Sequence, residues 1–166
     1  GKTLVWSEGR SGRKILVAQT GLEARRELIN EQRLSGGVGY GGGEFSIGSG
    51  TAIFADESKR LFSQTLGATQ PRAITPAYGG VASPSISPDG RWIVYVFSDG
   101  ETDLLGVVDS AGEQWPAQLV KGADFYMQPT WHPSGELLAW VEWNYPNMPW
   151  DDSIVRLAKM TGDPPR

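Results

Sequence analysis

The feature that most constrains the fold is a pattern of residues that recurs at a distance of 45 positions. Residues 83–96 read SPSISPDGRWIVYV, and residues 128–141 read QPTWHPSGELLAWV. The matched positions are Pro84 with Pro129, Pro88 with Pro133, Gly90 with Gly135 and Tyr95 with Trp140. A repeat of about 40–45 residues that is built from short strands and tight turns is typical of a β-propeller blade.

The rest of the chain follows the same plan. Runs that alternate apolar and polar residues, or that are rich in β-branched and aromatic residues, are bounded by Gly, Pro, Asp and Ser. They predict strands at residues 3–7, 14–19, 24–29, 44–47, 51–56, 60–65, 72–75, 83–87, 92–98, 104–109, 117–120, 130–132, 137–142 and 154–159. Residues 22–33 are charged but lack an apolar face at helical spacing, so we predict an edge strand and a loop there.

These strands predict an all-β fold, a partial β-propeller of about four blades in which each blade is a four-stranded antiparallel sheet. The first and last blades are incomplete, and the predicted blade boundaries are residues 1–35, 36–80, 81–122 and 123–162. A closed propeller usually has more residues, so the sequence is expected to be a piece of a longer protein. We expect the aromatic residues that follow the turns to pack between blades, namely Trp92, Tyr95, Trp131 and Trp140.

Composition excludes several function classes. The net charge is −4 with no long run of either sign, so we expect neither a nucleic-acid nor a membrane partner. The chain has no Cys, which excludes disulfides and thiolate metal sites. No stretch reaches the apolar length of a signal peptide or membrane span, and we expect a cytoplasmic location.

The sequence does not contain a convincing catalytic set. His132 is the sole histidine, but the repeat aligns it with Ser87, just before the proline of a turn. A nucleophile elbow of the Gly-x-Ser-x-Gly type is also missing, since residues 9–13 read GRSGR and fail at the last position. We therefore predict a chain that is not itself an enzyme and has no catalytic residues.

Metal and cofactor sites are also not expected. One histidine leaves carboxylates as the main ligands, and Asp151 with Asp152 lacks the alternating spacing of a calcium loop. The glycine-rich residues 36–43 precede neither a helix nor a Lys-Ser/Thr pair, so they do not predict a phosphate loop.

Three segments exceed what blade construction requires: residues 40–43, 123–128 and 143–151. The last is an enlarged hairpin loop, because Ile154 matches Leu104 at a distance of 50 rather than 45 positions, an insertion of about five residues. In an up-and-down blade, the inter-blade connection and the hairpin between the second and third strands emerge on the same face. The predicted substrate- or domain-docking residues on that face are Tyr40, Gly41, Gly42, Asp124, Tyr126, Asn147, Met148 and Trp150.

These segments also carry a family resemblance. The runs YGGGEF (residues 40–45), GADFY (122–126) and WNYPNMPWD (143–151) resemble the propeller of prolyl-oligopeptidase-family serine peptidases, in the acylaminoacyl-peptidase and dipeptidyl-aminopeptidase-like branch. The Pro-Asp-Gly turns are similar to TolB-type propeller repeats. One departure is Gly39, which stands where the family usually has an acidic residue before Tyr-Gly-Gly-Gly, so the role of that acid is lost or moved.

The resemblance implies an N-terminal propeller that covers a C-terminal α/β-hydrolase domain. The hydrolase domain would hold the catalytic Ser, Asp and His and cleave peptides, and the propeller would restrict the access of substrates by their size. The expected partners are that hydrolase domain of the same parent chain and peptide substrates. The alternative is a stand-alone TolB-like propeller fragment that serves as a protein-interaction scaffold; the Asn-Met-Pro-Trp loop favours the peptidase. We also expect self-association through open propeller edges.

Overall fold

The computed structural model describes residues 2–29, 31–38 and 43–166, and its regular elements are strands. The strands are β1 (Thr3–Arg10), β2 (Arg13–Thr20), β3 (Arg26–Glu27), β4 (Phe45–Gly48), β5 (Thr51–Ala55), β6 (Leu61–Thr65), β7 (Arg72–Ala73), β8 (Gly80–Ile86), β9 (Trp92–Ser98), β10 (Asp103–Asp109), β11 (Ala117–Val120), β12 (Phe125–Trp131), β13 (Leu137–Trp143) and β14 (Ile154–Lys159). None of the described residues belongs to a helix long and apolar enough to cross a membrane.

The strands form four antiparallel sheets in which neighbours in the chain are neighbours in the sheet. Sheets β4–β7 and β8–β11 have four strands each, and sheets β1–β3 and β12–β14 have three. The innermost strands β4, β8 and β12 lie side by side, since β8 contacts both of the others. The predicted all-β partial propeller, with incomplete first and last blades, is therefore confirmed.

The sequence repeat is also a repeat in three dimensions. The backbone N–H of Gly90 donates to the carbonyl of Ser87 at 2.9 Å, and the N–H of Gly135 donates to the carbonyl of His132 at 2.8 Å. Both glycines have a φ of 77°, a backbone conformation that is unfavourable for residues with a Cβ. The two turns are therefore equivalent, and their geometry explains why glycine occupies the same place in each.

Two of the inner strands, β8 and β12, begin earlier than the sequence pattern predicts. β8 starts at Gly80 and β12 at Phe125, but each is interrupted by a shift of register, between Ala82 and Ser85 and between Met127 and Thr130. A β-bulge breaks the alternation of side chains between the two faces of a strand. The predicted strands started at or after the bulge because the alternating pattern is lost on its other side.

The hydrophobic core lies between the sheets, in three clusters. Trp92, Trp131 and Trp140 are buried together between the third and fourth sheets. Tyr95 is buried between the second and third sheets, next to Ile53 of β5. The predicted packing role of these aromatic residues is confirmed, and the stacked sheets hold the loops at their ends in fixed positions.

Candidate functional site

One end of the propeller carries the inter-blade connections and the hairpins between the second and third strands of the blades. We call it the connection face, and in the second, third and fourth sheets its hairpins are residues 56–60, 99–102 and 144–153. The opposite end carries the Pro-x-Gly turns at residues 88–90 and 133–135. Of the two predicted docking segments that the structure describes, residues 143–151 lie in the hairpin of the connection face, and residues 123–128 begin at that face and continue into β12.

Asp124 joins these two segments directly. Its backbone N–H donates a hydrogen bond of 2.9 Å to Oδ1 of Asn144, and its carboxylate accepts one of 2.9 Å from the backbone N–H of Tyr145. A hydrogen bond to a carboxylate is stronger than one between neutral groups. The connection before the fourth sheet therefore fixes the start of the enlarged loop.

The loop is held by its own turns beyond that point. The N–H of Asn147 donates to the carbonyl of Asn144 at 3.0 Å, and the N–H of Asp151 donates to the carbonyl of Met148 at 2.9 Å. The carboxylate of Asp151 in turn accepts from the N–H of Met148 at 3.2 Å. Sequence reasoning singled out Asn147 and Met148, and the structure places both inside these turns, partly buried.

Two aromatic side chains project from this braced loop into solvent. Tyr145 is 80% exposed and Trp150 is 73% exposed. Large aromatic side chains that are held in an ordered loop and left in water are characteristic of contact surfaces. Trp150 was singled out in the sequence; Tyr145 was not, although it lies in the same run of residues.

Tyr126 has a different position from the one its sequence context predicts. The side chain is 4% exposed, its hydroxyl accepts a hydrogen bond of 2.9 Å from the N–H of Ala123, and burial raises the pKa of the phenol. Tyr126 therefore supports the connection from the core side, with its ring buried. The other predicted docking residues, Tyr40, Gly41 and Gly42, lie outside the described residues.

Carboxylates surround a cavity of about 660 Å³ beside the loop. Glu101, Asp103 and Asp124 line it together with Phe125 and Tyr145. Burial raises the pKa of Asp103, and a hydrogen bond from the Ser98 hydroxyl opposes that shift in part. Backbone N–H donors from Glu101 and Thr102 lower the pKa of the nearby Asp99.

The described residues contain no group of three or more His, Cys, Asp or Glu side chains that could hold a metal ion. His132 lies in an exposed turn at the opposite end of the blades, where its Nδ1 accepts from the N–H of Ser134 at 3.1 Å. The Ser134 Oγ accepts from the N–H of Glu136 at 3.2 Å, so both side chains brace the hairpin. This is the turn position that the repeat predicted for His132.

The stacked antiparallel sheets of three and four strands, with their inter-blade connections on one face, define the chain as a domain of the β-propeller class. Comparison with solved structures gives a more specific result. The chain is similar to a puromycin-hydrolyzing peptidase from Mycobacterium tuberculosis, with a TM-score of 0.83 and 28% identity over 97% of this chain and 29% of that one. A puromycin hydrolase matches with a TM-score of 0.79 and 22% identity over 98% of this chain and 30% of that one.

TolB proteins have a similar fold. A putative TolB from Agrobacterium tumefaciens matches with a TM-score of 0.71 and 18% identity, over 96% of this chain and 58% of that one. No protein-family model and no curated protein matches the chain. The chain therefore matches the propeller domain of a prolyl-oligopeptidase-family peptidase with TolB-like repeats, and it spans about 30% of the length of the peptidases.

Proposed function

We propose that this chain is the non-catalytic propeller domain of a serine peptidase, which docks on the α/β-hydrolase domain of its parent chain and restricts the access of peptides to it. The observation that carries the proposal is the braced loop, in which Asp124 fixes the backbone while Tyr145 and Trp150 remain in solvent. A loop that is already ordered loses less conformational entropy when it docks, which favours binding. The similarity to the propeller parts of peptidases supports the same reading.

Docking is tested by measuring the affinity of the 166-residue chain for the separately produced hydrolase domain of its parent chain. We expect Tyr145→Ala and Trp150→Ala each to weaken binding by at least about tenfold, as truncation of an aromatic anchor does. Trp115→Ala is the matched control, because Trp115 is 77% exposed but belongs to a different loop, residues 110–116. Equal effects of the three substitutions would contradict docking through this loop.

The peptidase assignment has its own assay. Chromogenic acyl-amino-acid and aminoacyl amides are offered to the 166-residue chain and to the parent protein side by side. We expect the parent alone to be active and a serine-directed inhibitor to abolish that activity. If neither protein hydrolyses the amides, the scaffold function is favoured instead.

Restricted access is tested by comparing a short with a long peptide substrate. A hydrolase domain without the propeller should cleave the long peptide relatively faster than the whole parent protein does, if the propeller limits entry by size. An unchanged ratio of the two rates would contradict the gating role while leaving the docking result intact.

We also propose that the isolated chain self-associates. Among the described strands, β1 and β14 are each an edge strand of a three-stranded sheet. Leu4 on β1 and Val155 and Leu157 on β14 are exposed. Unprotected edge strands with apolar side chains pair readily with other chains. Light scattering at micromolar concentrations should find dimers or larger species, and a uniform monomer would contradict this proposal.

A further inference from the structure

Two strained residues occupy equivalent places in neighbouring blades. Ser83 has a φ of 49° and Gln128 a φ of 51°, and both lie in the bulges of the inner strands, 45 positions apart. The left-handed region is unfavourable for residues with a side chain, and such residues concentrate at functional sites. Glycine would be the residue of least strain, yet neither position has it.

Both residues line one cavity at the propeller axis. It has a volume of about 420 Å³, and its lining comes from three adjacent inner strands and the residues that flank them. Ser46, Ser85 and Thr130 add hydroxyl or backbone groups, and Phe45, Pro84 and Pro129 add apolar surface. All of the lining residues are uncharged, so the site does not match the chemistry of a phosphate, a carboxylate or a metal ion.

Ser83 also carries a polar group without a partner. Its Oγ forms no hydrogen bond within the described part of the chain, although the residue is 5% exposed. Its backbone is in place, since its N–H donates to the carbonyl of Gly43 at 2.9 Å. A buried hydroxyl without a partner is unfavourable, so a rotation of the Ser83 side chain that brings the enclosed Oγ to a hydrogen-bonding group in the cavity gains binding energy.

We propose that this axial cavity binds the main chain of an uncharged, extended peptide segment through the Ser83 hydroxyl and the Gln128 side-chain amide. A hydroxyl donates and accepts, and a primary amide donates and accepts, which suits the alternating N–H and C=O groups of a peptide. The proline and phenylalanine surface suits small apolar side chains between those groups. The inference rests on the proposed handling of peptides, and it names the residues that contact them.

The substitutions Ser83→Gly and Gln128→Gly separate binding from backbone strain. Glycine keeps the left-handed conformation at lower strain and removes the polar side chain. If the two side chains served the fold alone, these variants would lose stability and peptide binding would be unaffected. Gln118→Gly in β11, the outer strand of the third sheet, is a control for the chemical change away from the axis.

The probe is N-acetyl-trialanine amide, titrated into the 166-residue chain while amide NMR shifts of residues near the cavity are followed. We expect Ser83→Gly and Gln128→Gly each to raise the dissociation constant about three- to tenfold, the effect of one neutral hydrogen bond, with no fall in Tm. The N-methylated form of the same peptide should bind more weakly, because its amide donors are blocked.

Binding that is equal in all variants, or no shift up to the solubility limit of the peptide, would overturn the proposal and leave a cavity filled by water. Because the hydrolase domain is absent from this titration, its failure would not affect the docking test. Conversely, peptide binding without docking would separate the axial site from the proposed peptidase function.

Discussion

The backbone N–H of Asp124 donates to the side-chain oxygen of Asn144 at 2.9 Å, across twenty positions of sequence. The Asp124 carboxylate accepts a second hydrogen bond from the same turn, donated by the backbone N–H of Tyr145. The two bonds connect an inter-blade connection to the enlarged hairpin of the next blade. The position of the exposed aromatic loop therefore depends on a residue outside the loop.

Removal of the Asp124 carboxylate should loosen the loop. We expect Asp124→Ala to lower the free energy of unfolding by about 1 kcal/mol, because the exposed bond to Tyr145 is lost but water can replace it. Amide hydrogen exchange at Tyr145 should become faster, since its acceptor is gone. Glu113→Ala removes the same charge from a different turn and should leave exchange at Tyr145 unchanged; unchanged exchange in Asp124→Ala would refute the coupling.

The two equivalent turn residues Ser87 and His132 should differ in their effect on stability. The Ser87 hydroxyl accepts a hydrogen bond of 2.9 Å from the buried N–H of Trp92, so Ser87→Ala should lower the free energy of unfolding by about 1–3 kcal/mol. His132 is exposed, and His132→Ala should change it by about 0.5 kcal/mol or less. Urea unfolding measures both, and a larger loss in His132→Ala would contradict the assignment.

Asp103 should destabilise the folded chain at neutral pH. Burial raises the pKa of Asp103 in the folded chain above its value in the unfolded chain. The folded chain is therefore more stable below the unfolded-state pKa, where Asp103 is protonated, and it loses that stability as the pH rises through the folded-state pKa. Asp103→Asn keeps an acceptor for Ser98 and should raise the urea midpoint at about pH 7 but not at about pH 3. An equal gain at both values would show that ionisation is not the cause.

Asp89 provides a control of opposite sign. The hydrogen bond from the Ser87 hydroxyl lowers the pKa of Asp89, so the stability it contributes is present above the unfolded pKa and is lost as the pH falls through the folded one. Asp89→Asn should therefore lower the urea midpoint at about pH 7 and lower it less at about pH 3. Effects of the same sign in both Asp variants would contradict this account of the two carboxylates.

A side chain at Gly106 should destabilise the fold. A Cβ at this position in β10 would lie 2.8 Å from the ring of Tyr95, which is buried. Gly106→Ala should lower the free energy of unfolding by about 1–3 kcal/mol through overpacking. Gly9→Ala in β1 is the matched control, because nothing lies within 4 Å of its Cβ; thermal unfolding of the two variants should differ accordingly, and equal losses would contradict a steric cause.

The regular part of the fold was predictable because its causes are local. β9 and β10 are nearly continuous buried runs of mostly apolar residues, as strands covered on both faces are, and the turns at Gly90 and Gly135 follow from the φ that glycine adopts most easily. The enlarged loop before Ile154 could be found from the change in spacing alone. Burial of Trp92 and Trp140 followed from the same repeat.

The details of the candidate site depended on contacts between distant residues. Asn144 carries no sequence signal that pairs it with Asp124, and the burial of Tyr126, a predicted docking residue, depends on its neighbours in the core. The bulges at Ser83 and Gln128 also lack a local signature, because neither is a glycine.

Repeated antiparallel blades could be predicted from short stretches of sequence, because strand pattern, turn chemistry and repeat length are properties of short segments. Which side chains meet depends on the tertiary structure. Pairing of β12 with β13 brings Asp124 to Asn144, whereas stacking of the sheets buries Tyr126 and brings Ser83 and Gln128 to one axial cavity. These contacts join separate segments, so their geometry is set by strand pairing and by packing between blades rather than by the residues next to them in the chain.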